Sequence, residues 1–240
     1  MTCVWIHACL SYLSYEMGKK MSFTYSYTPP CLVAQFERPQ RMLSWSITHP
    51  GFCENDRVAW LRVKDTDINP NIDAQIFLNT QMQKHKLRGA IGLMTSRNLD
   101  FYHFTETIYG FVKAQSLTTL GLNNACHVGF PENEMQLKNV GTINNLCAVN
   151  VPLSDGALIE ASSIASQAKT AALMDYYRSH LPHVPNVTGT GTDCIVVSSP
   201  VAGSHTMFSG LHTHAGKAIG EAVYQSTIEA CATWHKGEDR

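Results

Sequence analysis

The chain has 240 residues, a formal charge of −1 and 15% charged residues, against about 25% in an average soluble protein. So even a balance gives no long-range pull toward nucleic acid or an anionic membrane, and a chain this long buries roughly 70–75% of its unfolded surface without a disulfide or a structural metal. Its eight cysteines form no Cys-x-x-Cys pair, and Cys147, Cys194 and Cys231 sit in apolar runs, which reads as buried thiols in a reducing cytoplasm and not as a disulfide framework.

Residues 1–20 are set aside. Cys3 to Leu13 is mildly apolar, but it is too short to span a bilayer and lacks the basic start and small-residue cleavage site of a signal peptide. Lys19-Lys20-Met21 offers a later start of translation at Met17 or Met21. From there, Leu32 to Phe36 and Met42 to Ile47 read as short strands around a turn containing Pro39, and His49-Pro50-Gly51 as a loop. Val58 to Val63 is a third strand, Asp65 to Asp73 a polar surface turn, and Ala74 to Lys84 a helix. Gly89 to Met94 is a buried strand running into Thr95-Ser96, and Phe111 to Leu120 a longer one leading into Gly121.

The second half is more regular. Thr142 to Val149 is a strand, after which Ser154 can cap a helix over Asp155–His180. Leu158, Ala161, Ile164, Ala165, Ala168, Ala172 and Leu173 fall on one helical face, and so much alanine predicts close packing on a sheet or another helix. Pro182 follows its end. Cys194 to Ser198 is a strand and Ala215 to Trp234 a final helix. With no repeat, linker or composition break, residues 21–240 read as one α/β domain, a mixed sheet or sheets flanked by helices, with a layered αββα sandwich as one form.

Small polar clusters interrupt these elements: Gly121-Leu122-Asn123-Asn124-Ala125, Gly141-Thr142-Ile143-Asn144-Asn145, Thr188-Gly189-Thr190-Gly191-Thr192-Asp193, and Ser209 to Gly216 around His212-Thr213-His214. Gly189 and Gly191 free the backbone to aim amides in one direction, and the alternating threonines add hydroxyls. A Walker loop or dinucleotide fingerprint needs a helix to follow, whereas here a strand does and no lysine is present. The alternative is a tight loop that satisfies its own backbone. His212 and His214 have a spacing that two metal ligands could use, but no nearby acidic or histidine partner completes a set, so no metal is assigned. Each is a candidate to contact substrate or move a proton, or is simply a histidine at a helix start. Asp193 is the one carboxylate within these clusters, a base, an orienting group or a loop cap. Lys169 interrupts the alanine face and either snorkels to solvent or faces a pocket.

These stretches, with Gly92-Leu93-Met94-Thr95-Ser96, Ala168-Lys169-Thr170-Ala171-Ala172-Leu173, Ile195-Val196-Val197 and His214-Ala215-Gly216-Lys217-Ala218-Ile219-Gly220, resemble in order the adenosylcobinamide amidohydrolases, over about residues 40 to 230. The resemblance implies a cytoplasmic enzyme of cobalamin salvage that hydrolyses the amide of the aminopropanol arm, giving adenosylcobyric acid and the amino alcohol. It implies a corrinoid as small-molecule substrate, no further cofactor, no nucleic-acid partner and no membrane span. It supplies no catalytic assignment, so roles come from what amide hydrolysis needs: a nucleophile, donors for an oxyanion and a proton for the amine. One scheme has water activated by Asp193, or by His212 held by Asp193, with amides of Gly189 to Gly191 and the Asn144 side chain around the oxyanion and His212 or His214 protonating the amine. A variant makes Thr142 a covalent nucleophile. Asn123, Lys169, Thr188, Thr190 and Thr192 complete the expected substrate surface. At fold level the block from 142 to 198 is similar to ornithine acetyltransferases and aminopeptidases, which sandwich two mixed sheets between helices. The competing readings are a corrinoid-binding protein that does not hydrolyse and a metal-dependent amidase of another substrate.

Overall fold

A computed structural model describes residues 23–64, 67, 72–129 and 141–237. The first twenty residues and most of the turn expected over Asp65–Asp73 lie outside that set. Strands β1 (Thr24–Thr28), β2 (Cys31–Ser44), β3 (Gly51–Arg62), β4 (Ile91–Thr95), β5 (His103–Tyr109), β6 (Val112–Leu120), β8 (Ile143–Val149) and β10 (Cys194–Pro200) form one eight-stranded sheet in the order β4-β3-β2-β10-β8-β6-β5, with β1 added to β2. The short β7 (Ala125–Cys126) and β9 (Gly189–Thr190) pair with each other. Three α-helices complete the described fold: α1 (Ala74–Lys84), α2 (Asp155–His180) and α3 (His214–His235).

The sheet doubles over on itself. In the first half of β2, Leu32, Ala34 and Phe36 face a core shared with Val58, Trp60, Ile91 and Leu93, and also with Leu117, Leu146 and Val196 from β6, β8 and β10. Non-neighbouring strands can share one core only if the sheet curls into two stacked layers. The alternate residues Cys31 and Val33 pack with Leu78 and Met82 of α1 on the outside. On the opposite outer face, Cys147, Val149, Ile195 and Val197 meet α2 and α3. The result is an α–β–β–α sandwich, the layered form considered from sequence, built from a single continuous sheet.

The fold-over corrects the reading of the N-terminal strands. Residues 32–47 are not two strands around a turn; β2 runs unbroken from Cys31 to Ser44, and its ladder with β3 shifts register between Gln35 and Gln40. Pro39 sits in that irregular stretch, where the bend demands no regular ladder donor from it. β3 starts at Gly51, earlier than Val58, because pairing with β2 holds its polar first half extended. The expected strand through Ile47 stops at Ser44, which leaves Trp45 and Ile47 in the loop. β1 and β5 were not foreseen; their alternating half-exposed residues give only a weak apolar signal.

The helices follow their sequence cues. Ser154 caps α2 by accepting from the Ala157 amide at 3.2 Å, with Asp155 in the first turn and Arg178 and His180 in the last, as the helix dipole favours. The alanine face admits α3 closely: Ala157, Ala161, Ala165 and Ala168 share one core with Ala215, Ala218, Ala222 and Val223. Thr213 caps α3, and a Cβ on Gly216 would run into the carbonyl carbon of Gly210 at 2.6 Å, so the loop crosses the helix start only over glycine. No helix among the described residues is long and apolar enough to cross a membrane.

Burial pushes the thiols of Cys147, Cys194 and Cys231 up to about 12. The folded state therefore holds protons that the unfolded chain gives up near pH 8.5. Stability from this source is complete below about pH 8.5 and is lost as pH rises toward 12, at up to about 1.4 kcal/mol per thiol per pH unit. Urea midpoints should stay level up to about pH 8.5, fall steeply from there to about pH 10, and fall less steeply in Cys231→Ala. A level profile would mean that the thiols are not sequestered.

Candidate active site

Strand β8 begins beside the turn that enters β10, and the two strands run parallel with Cys194 opposite Asn144. That register brings Gly141-Thr142 against Thr192-Asp193. Thr142 Oγ1 donates to the Thr192 carbonyl at 2.8 Å, and Thr192 Oγ1 donates to the Gly141 carbonyl at 2.8 Å. Gly141 has no room for a side chain, since a Cβ there would lie 2.7 Å from Asn124 Oδ1 and 2.8 Å from the Gly121 carbonyl oxygen. The Gly121 and Gly141 clusters, distant in sequence, thus pack backbone to backbone.

Asp193 organises this corner. Its Oδ1 accepts from the Ile143 amide at 3.2 Å, the Thr190 amide at 3.1 Å and the Thr190 hydroxyl at 2.5 Å, while its Oδ2 is ion-paired with Lys169 Nζ. Both side chains are close to nine-tenths buried. Lys169 therefore does not snorkel; α2 carries it inward to neutralise the carboxylate. Gly189 lies against the pair, and a Cβ there would stand 2.7 Å from Lys169 Nζ and closer still to Asp193 Oδ2. The glycine is required for space, which sequence alone could not distinguish from a need for backbone freedom.

These groups border a cavity of about 540 Å³. Thr142, Asn144, Cys194, Gly92, Leu93 and Thr95 are buried within its wall, and Trp45, Ile47, Lys64, Gly191 and Thr192 are exposed around its opening. Asn144 donates from Nδ2 to the Met94 carbonyl at 2.8 Å, which ties β8 to the end of β4 across the two sheet layers. Leu78 of α1, with Leu93 and Met94, makes one side apolar.

The other expected site residues divide. Thr188 is buried and structural: its Oγ1 accepts from the Val128 amide at 2.8 Å and its carbonyl accepts from Thr170 Oγ1 at 3.2 Å, fastening the loop to α2. Asn123 is exposed and does not line the cavity. The Thr190 amide, expected to face an oxyanion, is turned onto Asp193 instead. His212 and His214 are not part of this site. His214 abuts Gly110 and the Phe111 ring at the far end of β6, whereas Leu120 at its other end pairs with Ile143. The length of β6 puts roughly 25 Å between that histidine and Thr142. His212 is an exposed turn residue two positions earlier, so neither histidine can work with Asp193. Among the described residues no three side chains of His, Cys, Asp and Glu converge as a metal-ligand set.

Sequence reasoning attached no individual role to Trp45, Ile47, Lys64 or Leu78, which line the cavity. The first two follow a strand without a polar signature, and only the fold-over carries the β2–β3 loop to the β10 turn. Met94 to Ser96 had a signal in the matching Gly92-to-Ser96 stretch, although no role was attached to it.

The pattern of the adenosylcobinamide amidohydrolase family, CbiZ, matches residues 14–239, a span that takes in every element of this site. The chain belongs to that family. Adenosylcobinamide amidohydrolases thus provide the frame for the cavity just described. Over 94 residues, 39% of the chain, the sequence is 38% identical to an uncharacterized protein of Methanocaldococcus jannaschii, and the matched stretch spans 36% of that protein's length. Among solved structures, the PH0078 protein of Pyrococcus horikoshii superposes with a TM-score of 0.47 at 12% identity, covering 88% of this chain and 83% of that one. A Burkholderia β-aminopeptidase gives 0.47 at 9% identity over 87% and 82% of the two chains.

Proposed function

We propose that this protein hydrolyses the amide joining the amino-alcohol arm of adenosylcobinamide to its corrin ring, releasing adenosylcobyric acid and the amino alcohol, as a step of cobalamin salvage in the cytoplasm. The family match over nearly the whole chain carries this reading. The cavity supports it, because its wall offers neutral hydroxyl, amide and apolar groups suited to a ligand fringed with carboxamides.

Of the mechanisms open from sequence we favour Thr142, whose hydroxyl is already fixed in the cavity wall and whose proton passes directly to the leaving amine with no side-chain base between them. Water activation needs a free base, yet Asp193 Oδ1 already accepts from Ile143 and Thr190, its Oδ2 holds the Lys169 ammonium, and His212 and His214 lie elsewhere. Cys194 also faces the cavity, but burial, only partly offset by the Trp45 backbone hydrogen bond and reinforced by Asp193, pushes its thiol up to about 12 and keeps it un-ionised. In the Thr142 scheme, Oγ1 bonds to the amide carbon, the C–N bond breaks, and the hydroxyl proton leaves on the amine. Water then hydrolyses the ester and restores the hydroxyl. Asp193 and Lys169 hold the start of β8 in place through the Ile143 amide.

The test is product analysis. Purified protein incubated with adenosylcobinamide should release the free amino alcohol, seen by mass spectrometry, and the activity should survive exhaustive chelation. Binding without release would assign a corrinoid carrier instead, and loss of activity on chelation would assign a metal-dependent amidase.

A further inference from the structure

We infer that the cavity takes only the amide-bearing arm of its ligand, and that the Trp45 indole, with Ile47 beside it, is a platform at the mouth for the flat face of the ring carrying that arm. This rests on the corrinoid reading above. Size is the first reason. A hollow of about 540 Å³ is that of a site enclosing a drug-sized molecule, and a corrin ring with its fringe of amide arms is much larger. One arm can reach the buried Thr142 and Asn144 while the ring stays outside.

The second reason is how the lip is built. Trp45 is 44% exposed and Ile47 42% exposed, two residues apart in one loop, and both border the opening. A single exposed apolar side chain is ordinary, but Trp45 is also held in place: its Nε1–H donates to the Asp193 carbonyl at 2.5 Å. With its one donor satisfied, the indole presents apolar ring surface that the fold itself leaves uncovered. A fixed aromatic face costs little entropy when it stacks on a planar ligand. The same hydrogen bond sets the platform at a constant height over the turn that carries Asp193, so a ring resting on it would hold its arm in register with the cavity floor. Gly191 and Thr192 of that same turn border the cavity too, exposed and without bulk, which leaves room for the ring edge.

Equilibrium dialysis of adenosylcobinamide against the full-length chain tests this with Trp45→Ala and Trp45→Phe. Alanine removes the ring face and should weaken binding about tenfold or more. Phenylalanine keeps a face but cannot donate to the Asp193 carbonyl, and should stay within about threefold of the unaltered protein. Equal losses in the two variants would make the hydrogen bond the cause and overturn the platform. So would unaltered binding by Trp45→Ala, or an unaltered protein that retains no corrinoid. A protein that binds the corrinoid in a Trp45-dependent way but releases no amino alcohol defeats the hydrolytic reading and leaves the platform standing. Release of amino alcohol together with normal binding by Trp45→Ala defeats the platform alone.

Discussion

Asp193→Asn should lower turnover by at least about a hundredfold and cost about 3–5 kcal/mol of stability, because it breaks a buried ion pair by removing one partner. The substitution preserves shape, so the effect isolates charge and hydrogen-bond direction. An amide has one accepting oxygen. If that oxygen faces the Ile143 and Thr190 donors, the NH₂ is turned onto the Lys169 ammonium; if it faces Lys169, the NH₂ opposes the donors. The double variant Asp193→Asn/Lys169→Met relieves the uncompensated cation and should regain much of the lost stability, read from urea midpoints, while activity stays low. If the double variant instead regained activity, the pair would be scaffolding for the fold alone, with no part in holding the reacting end of β8.

Thr142→Ala should reduce turnover by about a thousandfold and Thr142→Ser by far less, since serine retains the attacking oxygen. Structurally the change is mild. The lost hydrogen bond to the Thr192 carbonyl is worth about 1 kcal/mol, and Thr192 still reaches the Gly141 carbonyl from the other side. Large catalytic and small structural effects together would mark the hydroxyl as a reacting group. The covalent scheme adds a sharper readout: a corrinoid ester on the peptide containing Thr142, trapped by acid quench and detected by mass. Turnover of Thr142→Ala at the normal rate would return the attack to water and remove the covalent step.

Asp193 and Thr142 were singled out from sequence for reasons of different quality. Thr142 stood out because a glycine precedes it at a strand start, and the structure adds the purpose of that glycine, which is to let the chain pass against Gly121 and Asn124. Asp193 stood out as a lone carboxylate among small polar residues. The expectation of a base was reasonable for such a residue, but its oxygens are consumed by partners at sequence separations of 3, 24 and 50 that no local pattern announces. The histidine pair was attractive for the opposite reason. Two histidines close together in sequence look like a site, yet they flank the Thr213 cap at the start of α3, at the far end of β6.

Local chemistry alone was enough to place the helices and the buried strands. Ser154, the alanine spacing and Pro182 give α2 its limits at Asp155 and His180, and the short apolar runs Leu146-Cys147-Ala148-Val149 and Cys194-Ile195-Val196-Val197 mark β8 and β10, because capping and burial act over a few residues. What required the folded molecule was everything set by the doubling-over of the sheet. That bend turns two apparent strands into β2, pairs the polar start of β3, stacks β4 over β8 through Asn144 and Met94, and carries Trp45 to the Asp193 turn. A sheet's curvature depends on which strands pair and in what register, a long-range choice that short windows of sequence do not encode. The cavity exists only once that choice is made.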